Sequence, residues 1–424
     1  MSKVKIIPDL RFPEFEKNGE WCETNLGDIG DFIGGGTPDT TKAEYWNGDI
    51  QWYTPTEVKE GKVGKSIRTI TELGLKNSSA KLLPKGSLLL TTRATIGDIA
   101  IADFECTTNQ GFQSLVVKET EINTFWFYWI IRHKNELIKK SSGSTFPEIG
   151  KTEITKINAL KPNKPEQQKI ASCLLSLDEA IATHSQKLNL LKDHKKALMQ
   201  NLFPQEGEKV PKYRFKEFEK DGEWVEEPLS SKISVIDGDR GLNYPKAEEY
   251  SSDGYCLFLS AKNVTKSGFL FNEFQFITKE KDELLRKGKL ARFDIVLTTR
   301  GSLGQFAFFD ENIQFENIRI NSGMVILRAK DNGINPNYLY SYFNSNSIQS
   351  AIKSQGFGNA VQQLTVAVIN NFTLRYPYDP KEQQKIASCL SSLDSLITAQ
   401  VEKIEQLKLH KKGLMQGLFP KINE

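Results

Sequence analysis

EQQKIASCLLSLDEAIA at 166–182 returns almost unchanged as EQQKIASCLSSLDSLIT at 382–398, and this doubled stretch decides the fold. The match runs on to a shared ending, KKALMQNLFP at 195–204 and KKGLMQGLFP at 411–420, at one constant offset of 216. Within each copy the apolar positions step by four and three without a slip. The first series is Ile170, Leu174, Leu177, Ile181, His184, Leu188, Leu191, Lys195, Leu198 and Leu202. The second is Ile386, Leu390, Leu393, Ile397, Gln400, Ile404, Leu407, Lys411, Leu414 and Leu418. An a/d seam sustained over more than four heptads predicts a coiled coil. Both copies carry a polar residue at the same two seam positions, as two helices built to pair in one register require.

The repeat extends outward from the helices. RFPEFEKNGEW at 11–21 matches RFKEFEKDGEW at 214–224, and LTTRATIGDIA at 90–100 matches LTTRGSLGQFA at 297–307. Gly111 in TTNQGFQSLVV lines up with Gly323 in IRINSGMVILR. The offset grows from 203 through 207 and 212 to 216, so the second copy carries short insertions in its connections, where chains tolerate them. Between these anchors the copies diverge. IGGGTPDTTKAEYWNGDIQWYTPTEVKEG at 33–61 is unlike VIDGDRGLNYPKAEEYSSDGYCLFLSAKNVTKSG at 235–268. One scaffold carries two differently tuned surfaces.

Composition sets wide bounds. A chain of 424 residues is long enough for two domains plus the helices, and 38% hydrophobic content supplies real cores. The net charge of +3 neither demands nor excludes a nucleic-acid partner, because a local patch can still be basic. Five cysteines without a CxxC pair predict free thiols and a reducing compartment. MSKVKIIPDLRFPEF has no apolar leader segment and no apolar run is long enough to span a bilayer, so a cytoplasmic location is expected, with no membrane partner.

Each globular unit reads as mixed short strands followed by helices, an α+β class. LLPKGSLLLTT is a turn at Pro84–Gly86 and then a buried strand, with ARFDIVLTT as its counterpart. A helix is predicted near 123–140, capped by Asn123, and another near 336–353, with Pro336 in its first turn. A Gly-rich loop follows in each unit, and then the long helix. Each seam spans about 33 residues, roughly 50 Å. PDLRF at 8–12 resembles PKYRF at 211–215, so the N-terminal stretch reads as the continuation of the C-terminal helix. The halves are expected to close on themselves with pseudo-two-fold symmetry, the helices antiparallel.

These features together resemble the specificity subunit of type I restriction–modification enzymes. The resemblance covers nearly the whole chain. It rests on the doubled layout, the EQQKIA…LD…I helices, the LMQ–LFP endings and the RF–EFE–GEW lead-in, with GGTP (35–38), YWNGDIQWYTP (45–55) and DGDRGLNYP (237–245) as openings of the recognition domains. Two positions depart from the family pattern: Ala94, where the second copy has Gly301, and Leu242, in a stretch that often carries lysine. The resemblance implies a non-catalytic protein without cofactors. It implies two mixed α/β target-recognition domains separated by a two-helix antiparallel coiled coil. The boundaries read as 1–160 for the first recognition domain, 161–204 for the central helix, 205–378 for the second recognition domain and 379–424 for the C-terminal helix. Each domain would read half of a split double-stranded DNA target. The helices would set the spacing and dock two modification (methyltransferase) subunits that use S-adenosylmethionine, and two restriction subunits would add ATP-driven cleavage.

Candidate contact residues follow from the motifs. Thr91, Thr92, Arg93, Thr298, Thr299 and Arg300 end paired strands; arginine can take both acceptors of a guanine edge and threonine can bond phosphate. A structural role holding the next loop is the competing reading. The divergent loops offer Thr37, Trp46, Gln51, Tyr53 and Thr56 in the first unit. In the second they offer Asp239, Arg240, Asn243, Tyr244, Lys262 and Asn263. Each competes with a scaffold role. The late loops at 142–146 and 355–363 add Ser144, Thr145, Gln355 and Asn359, against plain turns. Lys195, Lys196, Lys411 and Lys412 either favour the helix C-terminus or contact DNA or a partner. Gln200, Phe203, Gln416 and Phe419 form a candidate partner-docking face; the FP endings can equally be helix stops.

Catalytic signals fail inspection. Asn335-Pro336-Asn337-Tyr338 resembles an amino-methyltransferase motif but lacks its second proline, and no glycine-rich cofactor loop accompanies it. Pro38-Asp39 with Glu57-Val58-Lys59 is a short nuclease-like match without an equivalent in the second unit. There is no GxxxxGK[ST] loop, and the four histidines are scattered without metal-ligand spacing. The rivals are a self-sufficient nuclease or methyltransferase and a symmetric scaffold joining two protein ligands. The first predicts activity of the lone chain, the second no salt-dependent DNA affinity.

Overall fold

The computed structural model describes residues 6–58, 61–93, 95–143, 147–355 and 363–420. It forms two compact units, Met1–Gln186 with Glu402–Glu424, and Lys187–Val401. The unit boundaries fall inside two 38-residue helices, Lys164–Asn201 and Pro380–Gly417. Each unit therefore owns the first half of one long helix and the second half of the other. In the first unit Ile170 and Leu174 share a core with Met415, Leu418 and Phe419. Lys411 there donates to both carboxylate oxygens of Asp178, at 2.6 and 2.8 Å. In the second unit Met199 and Leu202 pack with Ile386 and Leu390, and Lys195 lies 2.5 Å from Asp394. The two half-helices run antiparallel within each unit. Every predicted seam position, the polar ones included, is buried or half-buried. The seam lysines are corrected in role: Lys195 and Lys411 hold the aspartate of the opposite helix rather than the end of their own. Lys196 and Lys412 are exposed.

The N-terminus of each long helix is clamped by the lead-in motif. Arg11 makes a bidentate pair with Glu166, both bonds 2.8 Å, with side chains 7% and 1% exposed. Arg214 repeats it with Glu382, at 2.8 and 2.7 Å. Lys169 pairs with Glu14 and Lys385 with Glu217. The glutamine after each buried glutamate ties in the next element. Gln167 accepts from the Ile122 amide and donates to the Pro162 carbonyl, and Gln383 does the same with Asn335 and Pro377. The end of each helix is also closed in one way. The Tyr213 amide donates to the Asn201 carbonyl at 2.9 Å, and the Leu10 amide donates to the Gly417 carbonyl at 2.8 Å. A Cβ on Gly417 would stand 2.5 Å from the Leu10 side chain.

The sheets follow one plan in both units. In the first, Gly30–Gly34, Gln113–Val117, Leu88–Leu90, Ile99–Ala102 and Gly61–Val63 are neighbours in that order, antiparallel except for the last pair. A smaller sheet sets Trp46–Tyr53 antiparallel to Arg68–Ile70 and parallel to Cys106–Thr108. In the second unit Ile233–Asp237, Met324–Ala329, Ile295–Thr298 and Phe306–Phe308 form the antiparallel sheet. Cys256–Phe258 lies parallel to Ile318–Arg319. The LTT strands are buried throughout, as their unbroken apolar run requires.

Three local expectations change. The helix expected over 123–140 breaks at His133 into Asn123–Arg132 and Lys134–Lys139, and that expected over 336–353 divides into Pro336–Phe343 and Asn346–Gln355. Asn123 is the first helical residue rather than the cap; its amide side chain donates to the Gly86 carbonyl. Asn335 is a cap, its side chain accepting from the Asn337 and Tyr338 amides, so the methyltransferase-like NPNY is a helix start. Phe203 and Phe419, expected on a docking face, are each 1% exposed. Phe419 packs on Trp21 and Phe125, and Phe203 on Trp224, Tyr338 and Tyr342. A ring so placed anchors the helix end in its unit's core and leaves Gln200 and Gln416 as the exposed members of that set.

His133 stacks on Trp129 with ring centroids 4.3 Å apart, and burial pushes its pKa from 6.5 down to about 4. The unfolded chain takes up a proton near pH 6.5 that the folded unit refuses. Stability of the first unit is therefore level above that pH and falls as pH drops toward 4, by at most on the order of 3 kcal/mol. Urea unfolding across pH 4–7 should show the loss in the native chain and a flatter profile in His133→Phe. The clamp gives a second expectation. Arg11→Ala strands the buried Glu166 charge and should lower the stability of its unit by about 3 kcal/mol or more, with Arg214→Ala doing the same in the other. Denaturant titration of each variant measures it.

Candidate nucleic-acid interface

Loops from distant parts of the sequence meet at one turn in each unit. In the first the turn is Asn109–Gly111, where the Asn109 side chain accepts from the Gly111 amide at 2.8 Å. The glycine run at 34–36 passes flat against it: a Cβ on Gly35 would lie 2.0 Å from the Asn109 carbonyl. Thr37 donates to the side chain of Gln110 at 2.6 Å. Pro55 touches Gly111 from another side, placing exposed Thr56 beside the turn. The Thr92 amide donates to the Gly111 carbonyl at 2.8 Å, which brings Arg93 to the same place.

The second unit repeats this with other side chains. Asn321 accepts from Gly323 at 2.8 Å, a Cβ on Gly238 would lie 2.4 Å from the Asn321 carbonyl, and the Thr299 amide donates to Gly323 at 2.8 Å. Arg240 reaches Asp237 and the Ser322 carbonyl at 3.1 and 3.2 Å. Asp239 accepts from the amides of Gly241 and Arg286, each at 2.8 Å, and these bonds hold its carboxyl below the usual range. Asn243 donates to the Leu284 carbonyl at 3.2 Å. Arg240, Arg286, Lys287 and Arg300 are all exposed around this loop. The two arginines of the repeated LTTR differ. Arg93 pairs with Glu148 at 2.7 Å, whereas Arg300 makes no ion pair among the described residues. A surface of this kind can bind a polyanion by charge and present rigidly held side chains to it.

The candidates named from sequence divide by burial. Thr91, Thr92, Thr298 and Thr299 are 0–1% exposed. The Thr91 hydroxyl donates to the Thr95 carbonyl at 2.5 Å and accepts from the Asp98 amide at 3.1 Å. Thr298 repeats this with Ser302 and Gln305. The carbonyls of Thr92 and Thr299 accept from Ile149 and Leu364, at the late loops. These four threonines are corrected to a scaffold role, the junction of three loops: the hydroxyls of Thr91, Thr92 and Thr298 bond backbone carbonyls, and buried Thr299 joins Gly323 and Leu364 through its backbone. Trp46 is 7% exposed, its indole donating to the Asp39 carbonyl while the Arg68 guanidinium sits 3.6 Å above its ring. Tyr53 is 2% exposed and donates to the Gly64 carbonyl; burial pushes its hydroxyl up to about 12. Asn263, 2% exposed, caps Ser260 as Glu57 caps Thr54. These three also belong to the scaffold. Gln51, half-buried, accepts from Ser66, and the half-buried Tyr244 ring packs on Phe258. Thr37, Thr56, Arg93, Asp239, Arg240, Asn243, Lys262 and Arg300 remain at least partly exposed, with Lys262 2.8 Å from Glu273. Ser144, Thr145, Asn359 and the side chain of Gln355 lie outside the described residues.

Asn109 and Asn321 were missed by motif reading, although N-x-G before an aligned glycine is an Asx-turn signal. Arg286 and Lys287 were missed because nothing local links them to the 238–243 loop. The nuclease-like carboxylates are accounted for: Asp39 accepts from Thr41, and Glu57 from the Thr54 and Ile67 amides. Among the described residues no cluster of three or more His, Cys, Asp or Glu side chains could hold a metal ion, and no helix is long and apolar enough to cross a membrane.

Residues 18–193 and 235–409 each match the family described as the type I restriction modification DNA specificity domain. The type I restriction enzyme MjaIX specificity subunit of Methanocaldococcus jannaschii is 30% identical over 322 residues, spanning 69% of this chain and 73% of that protein. The EcoR124I/EcoR124II specificity subunit of Escherichia coli is 30% identical over 169 residues, 38% of this chain and 42% of that one. The fold is similar to the crystal structure of a type I restriction–modification S subunit from M. genitalium. Its TM-score is 0.61 at 15% identity, over 98% of this chain and 100% of that one.

The burial pattern separates scaffold from surface in a measurable way. Thr91→Val and Thr298→Val should each cost about 1–2 kcal/mol, since they leave buried loop groups unpaired. Arg93→Gln and Arg300→Gln should stay within about 0.5 kcal/mol of the native chain. Urea midpoints of the four variants check both expectations.

Proposed function

The chain belongs to the type I restriction–modification DNA specificity family, a family of non-catalytic specificity subunits, and on that premise we propose that each unit reads one half of a bipartite duplex target. The carrying observation is the loop convergence at Asn109–Gly111 and at Asn321–Gly323. It is the same backbone junction twice, with different side chains on top. A reader of two different half-sites needs this combination, because phosphate contacts position a protein and base-edge contacts specify the sequence. Thr37, Thr56 and Arg93 are the reading set of the first unit. Asp239, Arg240, Asn243, Lys262 and Arg300 are that of the second, with the late loops completing each.

The long helices set the gap between the half-sites, and the register of their pairing is held by the Asp178–Lys411 and Lys195–Asp394 pairs. Two modification subunits dock along them, with exposed Gln200 and Gln416 in the contact, and restriction subunits join the same assembly in the cytoplasm. The domain boundaries that serve this role are 1–160, 161–204, 205–378 and 379–424. The chain itself holds no cofactor in this scheme and selects the adenine that its partners modify.

Co-expression with the modification subunit in a methylation-free host, followed by mapping of methylated adenines, tests the proposal. The expected result is a split motif with a fixed gap. Replacing 33–61 by the corresponding loop of a relative should change one half of that motif and leave the other half and the gap intact. A change in both halves overturns the modular assignment, and a stable complex with no mark overturns the reading role of these surfaces.

A further inference from the structure

Leu242 is the most exposed large apolar side chain among the described residues, at 103% of its reference area. Nothing about the loop forces it outward by disorder. Asp239 holds the Gly241 amide within the turn and the Arg286 amide of a neighbouring segment, Asn243 bonds the Leu284 carbonyl, and Arg240 reaches across to Ser322. A leucine held rigidly in water gives up roughly 1.5–3 kcal/mol of burial that an inward position would supply. Exposed cations border its loop: Arg240, which pairs with Asp237, Arg286, whose guanidinium lies 3.9 Å from where a Cβ on Gly241 would stand, Lys287 next to it, and Arg300 near Gly323. An apolar tip on a loop bordered by exposed cations does not fit an apolar protein groove. It fits a polyanion that offers one apolar group among many acceptors.

Duplex DNA offers such a group in the major groove, the C5 methyl of thymine, beside the phosphates that arginine and lysine bind. We propose that Leu242 is a specificity-determining residue of the second unit and contacts a thymine methyl in the half-site that this unit reads. The inference rests on the proposed function. Because the loop is already ordered, docking the tip costs little conformational entropy, and the contact favours thymine over cytosine, which lacks the methyl. Leu242 reads the base edge while Arg240 and Arg286 hold the backbone on either side.

The test uses the complex of the full chain with its modification subunit, on a duplex carrying the mapped target. Each thymine of the second half-site is replaced in turn by deoxyuridine, which deletes only the methyl. The native complex should lose roughly fourfold in Kd at one position, the worth of one buried methyl. Leu242→Ala should bind the all-thymine duplex correspondingly weaker and lose nothing further at that position. Leu242 contacts no core, so the variant folds as the native chain does, and an unchanged urea midpoint verifies this. Three results overturn the inference: a second half-site without an A·T pair, a Leu242→Ala complex indistinguishable from native, or an affinity loss in Leu242→Ala that leaves the deoxyuridine effect intact. The last would describe a wedge between base pairs or a non-specific contact. A native complex with no bipartite target removes the proposed function itself, and is told apart because it appears before any variant is compared.

Discussion

A buried carboxylate must find a cation, and in this protein that requirement organises everything around it. Glu166 and Glu382 sit at the first turn of the long helices with side chains 1% exposed, each held by two bonds from one arginine. Replacing such a pair with apolar residues need not cost stability, but removing one partner does, so the two must stay together. That necessity ties the RF–EFE–GEW lead-in to EQQKIA, though about 155 residues separate them in one unit and 168 in the other. The flanking residues extend the clamp: glutamine binds the helix that follows the sheet, and lysine pairs with the lead-in glutamate. Three residues within one helical turn thus join the lead-in, the aromatic core and the start of the long helix.

The same economy governs the far ends. The hydrogen bond from Tyr213 to Asn201 joins neighbours along the chain, while that from Leu10 to Gly417 joins its two extremities. Identical local geometry is reached by covalent continuity in one unit and by packing in the other. Phe203 and Phe419 then seal each helix end into an aromatic core, of Trp224, Tyr338 and Tyr342 in one unit and Trp21 and Phe125 in the other. Each unit depends on segments contributed from both long helices: the first joins Met1–Gln186 to Glu402–Glu424, whereas the second is the one stretch Lys187–Val401.

On the recognition surface the division of labour is between backbone and side chain. Buried threonines and Asx turns build the junction twice, and glycines at 35 and 238 let two backbones approach where any Cβ would collide. Above that junction the side chains are free to differ. The first unit balances Arg93 with Glu148, whereas the second leaves Arg300 without an ion pair among the described residues and carries exposed Leu242 on its loop. Retaining the junction leaves the displayed side chains free to change without refolding the domain.

Period and repetition made the long helices legible from sequence, because an a/d pattern is a statement about one face and every one of its positions lies on the buried side. The doubled architecture was legible for the same reason, since matched anchors with a growing offset mean one scaffold with longer loops. What the sequence could not settle was which polar residues face outward. LTTR marks both units, yet its threonines are internal and its arginine external, a difference set by strand burial rather than by residue type. Trp46 and Asn263 look like contact residues and are scaffold, while Arg286 and Lys287 carry no local signal and stand beside the 238–243 loop. Sequence by itself determined the repeat, the helix pair and the family, all properties of pattern along the chain. Only the tertiary structure decided the surface, because exposure depends on what folds back over a residue from far away.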